Sequence, residues 1–242
     1  MRMRKPVDRA FPFCTFLLML ALTGPAVAES PVMWQFELKG GGFSPSIDDE
    51  VGVDGTPFKD VYGNSNFFLL MTELDVQFYR GVVGSFAIGG GLGLTSMDGK
   101  SIDPDSGEQP GDKTTFEIMP VQLALVYHLD FLAQRLNVPF VPFAKFGADY
   151  WAWWIMDAND DIARVDGKKA MGGTYGTHYS FGMKLLLDWI DPSSAQTFDL
   201  EMGVNNSYLM VEYQSATVND FDTGNSFNLG GDTFLFGLAF EM

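Results

Sequence analysis

Residues 85–95 read Ser-Phe-Ala-Ile-Gly-Gly-Gly-Leu-Gly-Leu-Thr, and this stretch decides the fold. One alternating set holds Phe86, Ile88, Leu92 and Leu94 together with Gly90, and the other holds only alanine, glycine, serine and threonine. Alternation with a period of two predicts a β-strand with two different faces. The small face could not fill a protein core by itself, but it leaves room inside a narrow lumen crowded by other side chains. The stretch therefore indicates a barrel strand whose large residues face lipid.

The same alternation recurs along the chain and predicts eight strands: Trp34–Phe43, Phe67–Tyr79, Ser85–Thr95, Phe116–Leu129, Val141–Trp154, Tyr175–Leu187, Asn206–Ser215 and Thr233–Met242. Strands of about 10 to 14 residues are longer than those of soluble sandwiches and can cross a bilayer at a tilt. We therefore predict an all-β fold, an eight-stranded antiparallel up-and-down transmembrane β-barrel with short periplasmic helical turns.

The links between strands differ in length at the two ends of the predicted barrel. Helical turns are expected in the shorter links, at Phe131–Leu136 and after Asp191-Pro192, where aspartate can cap a helix that starts with proline. The longer links, expected to be extracellular, are Pro45–Asn66, Met97–Lys113, Met156–Gly173 and Ala216–Asp232. Interfacial aromatic belts are expected from Tyr150, Trp151, Trp153, Trp154 and Tyr175 on that side, and from Trp34, Tyr127 and Trp189 on the periplasmic side.

Residues 1–28 have the features of a secretory signal peptide. Four basic residues precede and flank the start of a mostly apolar stretch, Ala10–Leu22, and Ala26-Val27-Ala28 forms a small-x-small cleavage site. We expect cleavage before Glu29, which leaves residues 29–242 as the barrel domain. The removed segment holds four bases, one acid and the only cysteine, Cys14, so the net charge would change from -16 to -19 and no disulfide could form.

Composition excludes several classes of protein. The chain has no apolar run of 18 or more residues, which excludes a helical membrane protein. With 31 acidic and 15 basic residues and no basic patch, a nucleic-acid partner is not expected. No cofactor is expected either.

Charged residues of the predicted strands lie on the face opposite the large apolar residues. A lysine or arginine on the lipid face near the midplane would cost roughly 2–4 kcal/mol. Eight strands enclose a lumen that side chains can fill, and buried charges require partners. We therefore predict a polar network that plugs the lumen, formed by Glu37, Lys39, Glu73, Asp75, Lys145, Asp149, His178, Lys184 and Glu212.

Within this network we expect two sets of contacts. Glu37 and Lys39 on the first strand should meet Glu73 and Asp75 on the second. The lysines of the fifth and sixth strands should pair with Asp149, Glu212 or water. The alternative interpretation of the same groups is a narrow, gated channel for ions or small solutes.

The long links are acidic, with 17 acids and 6 bases and a net charge of -11. Solvated, charged loops explain this balance, and so does binding of divalent cations at the rim or between the rim and lipopolysaccharide phosphates. The candidate ligands, which have the spacing of oxygen donors in calcium loops, are Asp103, Asp105, Glu108, Asp157, Asn159 and Asp161. Neither group completes a calcium-loop pattern, because the second lacks the required glycine and has Lys168 in place of the final glutamate.

Two further classes of protein are open to this sequence. His178-Tyr179-Ser180 has the His-x-Ser spacing of some outer-membrane lipid hydrolases, but the parity of the strand turns His178 and Ser180 toward the lumen, away from lipid esters. We therefore predict no enzymatic activity. A soluble, secreted ligand-binding barrel is the other alternative, and it would place the apolar residues inside and the charged residues outside.

Several segments resemble a family of outer-membrane β-barrel proteins described mainly from myxobacteria and their relatives. The resemblance covers essentially the whole mature chain, and the segments that carry it are Pro57–Gly63, Glu73–Gly81, Val141–Tyr150, Leu187–Pro192 and Asp232–Met242. The resemblance implies a barrel in the outer membrane of a Gram-negative bacterium. It implies no activity, because the family has no established biochemical function.

The last strand is expected to act as the assembly signal. Barrel proteins usually end on an aromatic residue that the assembly machinery recognises, whereas this chain ends on Met242, with Phe240 and Gly237 at the spacing of such a signal. The expected partners are therefore the barrel-assembly machinery, outer-membrane lipid and lipopolysaccharide. The extracellular partner is left open by the sequence.

Overall fold

The computed structural model describes residues 33–49, 55–63, 66–102, 112–165, 167–190, 192–223 and 227–242, and the structural statements below concern these residues. The predicted signal peptide, residues 1–28, lies outside the described residues. The candidate cation ligands Asp103, Asp105 and Glu108 also lie outside them.

Ten strands are present, and eight of them form the wall of a closed antiparallel barrel. They are β1 (Trp34–Phe43), β2 (Phe67–Arg80), β3 (Ser85–Lys100), β4 (Lys113–His128), β5 (Phe140–Met156), β6 (Arg164–Val165), β7 (Lys168–Lys169), β8 (Met171–Leu186), β9 (Asn206–Val218) and β10 (Gly231–Glu241). Each wall strand pairs with the next one along the chain, β6 and β7 form a separate short hairpin, and β1 closes the barrel against β10. The predicted eight-stranded up-and-down barrel is thus confirmed.

The two ends of the barrel differ. The terminal end carries Trp34, Met242 and the links 81–84, 129–139 and 187–205, and the loop end carries the links 44–66, 101–112, 157–170 and 219–230. At the terminal end, the predicted helical turn Phe131–Leu136 is present, and a second helix spans Pro192–Met202. At the loop end, a helix that was not predicted spans Pro57–Tyr62. Among the described residues, no helix has the length and apolar character needed to cross a membrane.

Six wall strands, β3, β4, β5, β8, β9 and β10, extend beyond their predicted limits at the loop end. Strand β3 continues from Thr95 to Lys100, and its partner β4 starts at Lys113 instead of Phe116. The added segment is polar apart from Met97, so hydrophobic alternation did not reveal it. It is held by the backbone ladder between Asp98 and Thr115 and by a 2.7 Å hydrogen bond from Oγ1 of Thr115 to Oδ1 of Asp98.

The wall has an apolar outside and a partly ionic inside, as the alternation predicted. On β2, for example, Phe68 is 66% exposed, whereas Glu73 and Asp75 are buried. The small residues Ala87 and Gly89 of β3 face the lumen, whereas Ile88 and Gly90 face outward. Every wall strand exposes at least one large apolar side chain: Leu38, Phe68, Leu92, Leu123, Phe146, Phe181, Leu209 and Phe236.

Candidate functional site

The lumen holds all nine residues that the sequence placed in a polar network. They come from β1, β2, β5, β8 and β9, and each of the nine is buried: Glu37, Lys39, Glu73, Asp75, Lys145, Asp149, His178, Lys184 and Glu212. Period-two alternation brings them to the inner face, and closure of the barrel then brings side chains from opposite walls together.

Lys39 and Lys145 lie at the centre of a cluster of carboxylates. Nζ of Lys39 is 2.7 Å from Oε2 of Glu73, 2.7 Å from Oε2 of Glu212 and 3.3 Å from Oε2 of Glu37. Nζ of Lys145 is 2.6 Å from Oε2 of Glu37, 2.7 Å from Oε2 of Glu73 and 3.6 Å from Oε2 of Glu212. Two ammonium groups are therefore shared by the same three glutamates.

Lys184 extends this cluster toward the terminal end. Its Nζ lies 2.9 Å from Oε1 of Glu37 and 3.0 Å from Nε2 of His128. Because an ammonium group only donates, Nε2 of His128 accepts this hydrogen bond. Lys184 thus contacts Glu37 and not the predicted Asp149 or Glu212, because its strand position places it nearer the terminal end than either acid.

Three lysines and three glutamates form a set with no net charge. Taking such ions out of water is costly, and the mutual attraction compensates only when the contacts are close and numerous. The ring of Phe143 adds a weaker contact, since Nζ of Lys145 and Nζ of Lys184 lie 5.3 and 4.8 Å from its centroid. We call these six charged residues the lysine–glutamate cluster.

Asp149 belongs to a second group, nearer the loop end. Its carboxylate accepts hydrogen bonds from Nε2 of Gln122 at 2.7 Å and from Nε1 of Trp151 at 3.2 Å. Nδ1 of His178 lies 2.8 Å from its other oxygen. Asp149 contributes to the lumen without contacting a lysine, contrary to one expected pairing, because the three lysine ammonium groups of the described lumen contact the glutamates.

The loop end of the lumen is apolar, which the sequence interpretation did not foresee. Inward residues of the wall strands pack there with Phe58 of the helix Pro57–Tyr62, and this loop-end apolar cluster includes Phe43, Leu69, Met71, Met97, Phe116, Ile118, Trp151 and Leu235. Trp151 was predicted in the interfacial belt, but it is fully buried, and its ring packs against Phe43 at 5.6 Å between centroids. Its parity is that of Asp149, which is the signal that could have placed it inside.

The other belt aromatics keep positions near the ends of the wall. Tyr150 and Tyr175 are exposed, and their ring centroids are 4.9 Å apart on neighbouring strands. Trp34 and Trp189 are exposed at the terminal end, whereas Tyr127, Trp153 and Trp154 are half-buried.

Sequence reasoning missed several buried polar residues of the lumen, among them Gln35, His128, Gln122 and Gln214. Each shares the inward parity of its strand, so alternation carried the signal. Gln35 joins two acids, since its Nε2 donates to Oε1 of Glu37 at 2.7 Å and to Oδ2 of Asp75 at 3.2 Å.

Two groups of buried side chains have the spacing of metal ligands. Glu37, Asp75 and His128 form one, and Glu37, Glu73 and Glu212 form the other. Lys39 and Lys145 fill the space between the acidic oxygens of the second group, and in the first group Lys184 contacts Glu37 and His128 but not Asp75. The lysines therefore supply the positive charge that a metal ion would supply.

The acidic loops use several of their carboxylates for local structure. Asp48 accepts hydrogen bonds from the backbone N–H groups of Phe58 at 2.8 Å and Lys59 at 3.1 Å, so it caps the helix Pro57–Tyr62. The candidate cation ligand Asp157 accepts from the backbone N–H groups of Asn159 and Asp161 and so closes a turn. Binding of divalent cations by the loops stays a prediction.

Burial raises the pKa of two carboxyl groups in the described part of the terminal end, Asp130 and Asp188. Oγ of Ser85 donates a 2.6 Å hydrogen bond to Oδ2 of Asp130, in the link between β4 and β5. Burial raises the pKa of Asp130 from 3.8 to about 6, although this hydrogen bond lowers it. The acid therefore titrates in the mildly acidic range.

The predicted assembly signal lies on the strand that closes the barrel. Phe240 faces Phe36 and Gly237 faces Lys39 across the β1–β10 ladder. A side chain at Gly237 would collide with the backbone of Leu38, which explains glycine there. Met242 follows the strand, and its N–H donates to the carbonyl of Trp34 at 2.8 Å. Recognition by an assembly machinery stays a prediction.

Comparison with known proteins gives fold likenesses only. No family model and no curated protein matches the chain, so the resemblance to the myxobacterial family stays a prediction. Ail of Yersinia pestis, solved with the heparin analogue sucrose octasulfate, has a TM-score of 0.44 and 10% identity, covering 87% of this chain and 97% of Ail. Neisserial surface protein A has a TM-score of 0.46 and 10% identity, covering 86% of this chain and 96% of that protein. OprG of Pseudomonas aeruginosa has a TM-score of 0.42 and 11% identity, covering 87% of this chain and 96% of OprG. Values this low transfer no property of these proteins to the chain.

Proposed function

We propose that the chain is an integral outer-membrane β-barrel of a Gram-negative bacterium, exported by its signal peptide, with a structural or surface-interaction role. One observation carries the proposal: phenylalanines and leucines cover the outside of the barrel, while lysines and glutamates are buried inside it. A soluble barrel has the opposite arrangement, because large apolar surface is unfavourable in water. An exterior of this kind, around strands of 10 to 17 residues, suits a bilayer.

The lumen of this barrel is closed to solutes. The loop-end apolar cluster covers one part of the lumen, and the lysine–glutamate cluster fills the part below it. A crossing ion would have to lose its water at the loop-end apolar cluster. It would then have to compete with the close ion pairs of the lysine–glutamate cluster. The filled lumen therefore favours a structural or interaction role over the narrow channel that is the alternative.

The hydrolase alternative has no geometric support. His178 and Ser180 are both buried inside the barrel, away from the lipid-facing side of β8. Nδ1 of His178 contacts Asp149, and no hydrogen-bond partner among the described residues reaches Oγ of Ser180, so His178 does not activate this hydroxyl. A serine nucleophile requires such a base within hydrogen-bond reach.

The expected partners follow from the placement of the surfaces. Outer-membrane lipid and lipopolysaccharide would contact the apolar wall and its aromatic ends, and the closing strand would be read by the barrel-assembly machinery. The acidic loops would meet an extracellular partner that the fold does not specify.

Membrane extraction tests the proposal directly. We expect the mature protein in the outer-membrane fraction, soluble only in detergent, and we expect its gel mobility to change on boiling. Recovery in the soluble fraction without detergent, with unchanged mobility, would contradict the membrane assignment and favour a secreted barrel.

Planar-bilayer recording tests the closed lumen separately. We expect no stable conductance steps from the purified, refolded protein. Discrete and reproducible steps would replace the filled-lumen interpretation with the channel.

A further inference from the structure

Two carboxylate oxygens converge over Gly89 inside the barrel. A β-carbon on Gly89 would collide with Oδ1 of Asp75 and would lie 2.7 Å from Oε1 of Glu73. The side chains of Asp75 and Glu73 are only 1% and 5% exposed. No donor among the described residues reaches either oxygen. The missing side chain of Gly89 thus leaves a small space that two acidic oxygens face.

The lysines of the lumen do not balance Asp75. The three lysines contact Glu37, Glu73 and Glu212, and Asp149 has His178 beside it. Oδ2 of Asp75 has only the neutral amide of Gln35, at 3.2 Å. Asp75 is therefore the one carboxyl of the five in the described lumen that forms no ion pair or hydrogen bond with a lysine or a histidine. A buried carboxylate in that position is costly, so it tends to bind a proton.

The charged groups around Asp75 strengthen this effect. Glu37 of β1 and Glu73 of β2 lie close to Asp75, and their negative charges disfavour a further one. Glu241 of β10 lines the cavity beside it. Lys145 of β5 and Lys184 of β8 act in the opposite direction, but both are in direct contact with glutamates. His128 of β4 completes the surroundings, and its Nε2 accepts from Lys184.

A small cavity gives Asp75 access to the terminal end. It has a volume of about 10 Å³ and is lined by Gln35, Asp75, Ala87, His128 and Glu241, among others. A space of this size holds roughly one water molecule. Protons can therefore reach the pair from the terminal end, whereas the loop-end apolar cluster separates it from the other side.

We propose that Asp75 and Glu73 form a proton-binding site over Gly89, in which the two carboxyl groups share one proton taken up from the terminal side. Two close carboxyl groups that cannot both ionise commonly hold one proton between them. A metal ion fits less well, because calcium takes 6–8 oxygen ligands and only two free oxygens meet here. Lys39 and Lys145, both 2.7 Å from Glu73, would also repel a divalent ion. This site does not depend on the surface role proposed above.

Infrared spectroscopy of the refolded full chain in detergent micelles tests the site. The wild type should show the carbonyl band of a protonated carboxyl group at pH 8, measured after dialysis against a chelator. The band should disappear in Asp75→Asn, and in Asp149→Asn it should keep its full intensity. Asp130 does not interfere, because its pKa of about 6 leaves it almost fully ionised at pH 8.

The outcomes separate the possibilities. A wild-type spectrum without the band means that both acids are ionised and overturns the proposal, and one-to-one calcium binding in that case identifies a metal site. A band that persists in both Asp75→Asn and Glu73→Gln overturns it as well. If Asp75→Asn does not fold, the carboxyl chemical shift of ¹³C-labelled aspartate in the wild type decides: a shift of the protonated form at pH 8 supports the site, and its absence removes it.

Discussion

Nζ of Lys145 on β5 lies 2.7 Å from Oε2 of Glu73 on β2, although β3 and β4 separate these strands in the wall. The contact therefore crosses the lumen. Because Glu73 also contacts Lys39 of the neighbouring strand β1, one carboxylate oxygen joins two walls of the barrel.

Removal of one partner from the lysine–glutamate cluster is expected to destabilise the folded barrel strongly. Lys145→Met leaves three buried glutamates with two lysines, which should lower the free energy of unfolding by about 3–5 kcal/mol. The measurement is urea unfolding in lipid vesicles, followed by tryptophan fluorescence. Lys113→Met is the control, because Lys113 forms an exposed 3.2 Å ion pair with Asp98 and should change stability by about 1 kcal/mol or less. Equal effects of the two variants would contradict a cooperative ionic lumen.

Neighbouring glycines of β3 offer a matched pair. Gly89→Ala places a methyl group against Asp75 and Glu73, so it should destabilise the barrel by about 1–3 kcal/mol. Gly90→Ala points outward, with nothing within 4 Å of the new carbon, and should be neutral or slightly stabilising. The same unfolding measurement compares them. If Gly89→Ala were as harmless as Gly90→Ala, the two carboxylates would not be packed against this strand.

The outer wall is tested by a charge at two depths. Phe146 is 65% exposed near the middle of β5, and Met171 is exposed at the loop end of β8. In a bilayer, Phe146→Arg should cost about 2–4 kcal/mol, and Met171→Arg should cost about 0–1 kcal/mol. Refolding into vesicles across a urea series measures both. A stabilising or neutral Phe146→Arg would mean that water surrounds this residue.

The raised pKa of Asp130 predicts how the free energy of unfolding depends on pH. Its pKa in the folded protein is about 6 against an ordinary value of 3.8, so the folded state holds this proton more tightly than the unfolded chain. The contribution of Asp130 to the free energy of unfolding is therefore fully present below about pH 4. It is lost as the pH rises through about 6, and the loss is at most about 3 kcal/mol.

Asp130→Asn should remove that decline, because an asparagine side chain does not titrate in this range. Its amide oxygen can still accept the hydrogen bond from Ser85, so the local structure is kept. Unfolding midpoints at a series of pH values, compared with those of the wild type, provide the measurement. Asp112→Asn, in an exposed link, controls for the loss of one negative charge. A decline that is the same in Asp130→Asn and in the wild type would assign it to other groups.

Some features of the site followed from the sequence and others did not, for physical reasons that differ by residue. The parity of Glu37, Lys39, Glu73 and Asp75 was readable because successive side chains of a strand point to opposite faces. The extension of β3 to Lys100 was not readable, because its outer end is polar and is held by backbone pairing with β4. Trp151 was assigned to the belt from residue type, although its parity placed it in the lumen.

By itself, the sequence determined which side chains face the inside of the barrel, since a period of two is a local property of each strand. It also determined the contrast between an apolar exterior and an ionic interior. Only the tertiary structure decided which inward groups meet: Lys145 with Glu73 across the lumen, Lys184 with His128, and Asp75 beside Gly89 without a cation. Those contacts depend on the register of every strand pair and on closure between β1 and β10, and no local pattern carries that information.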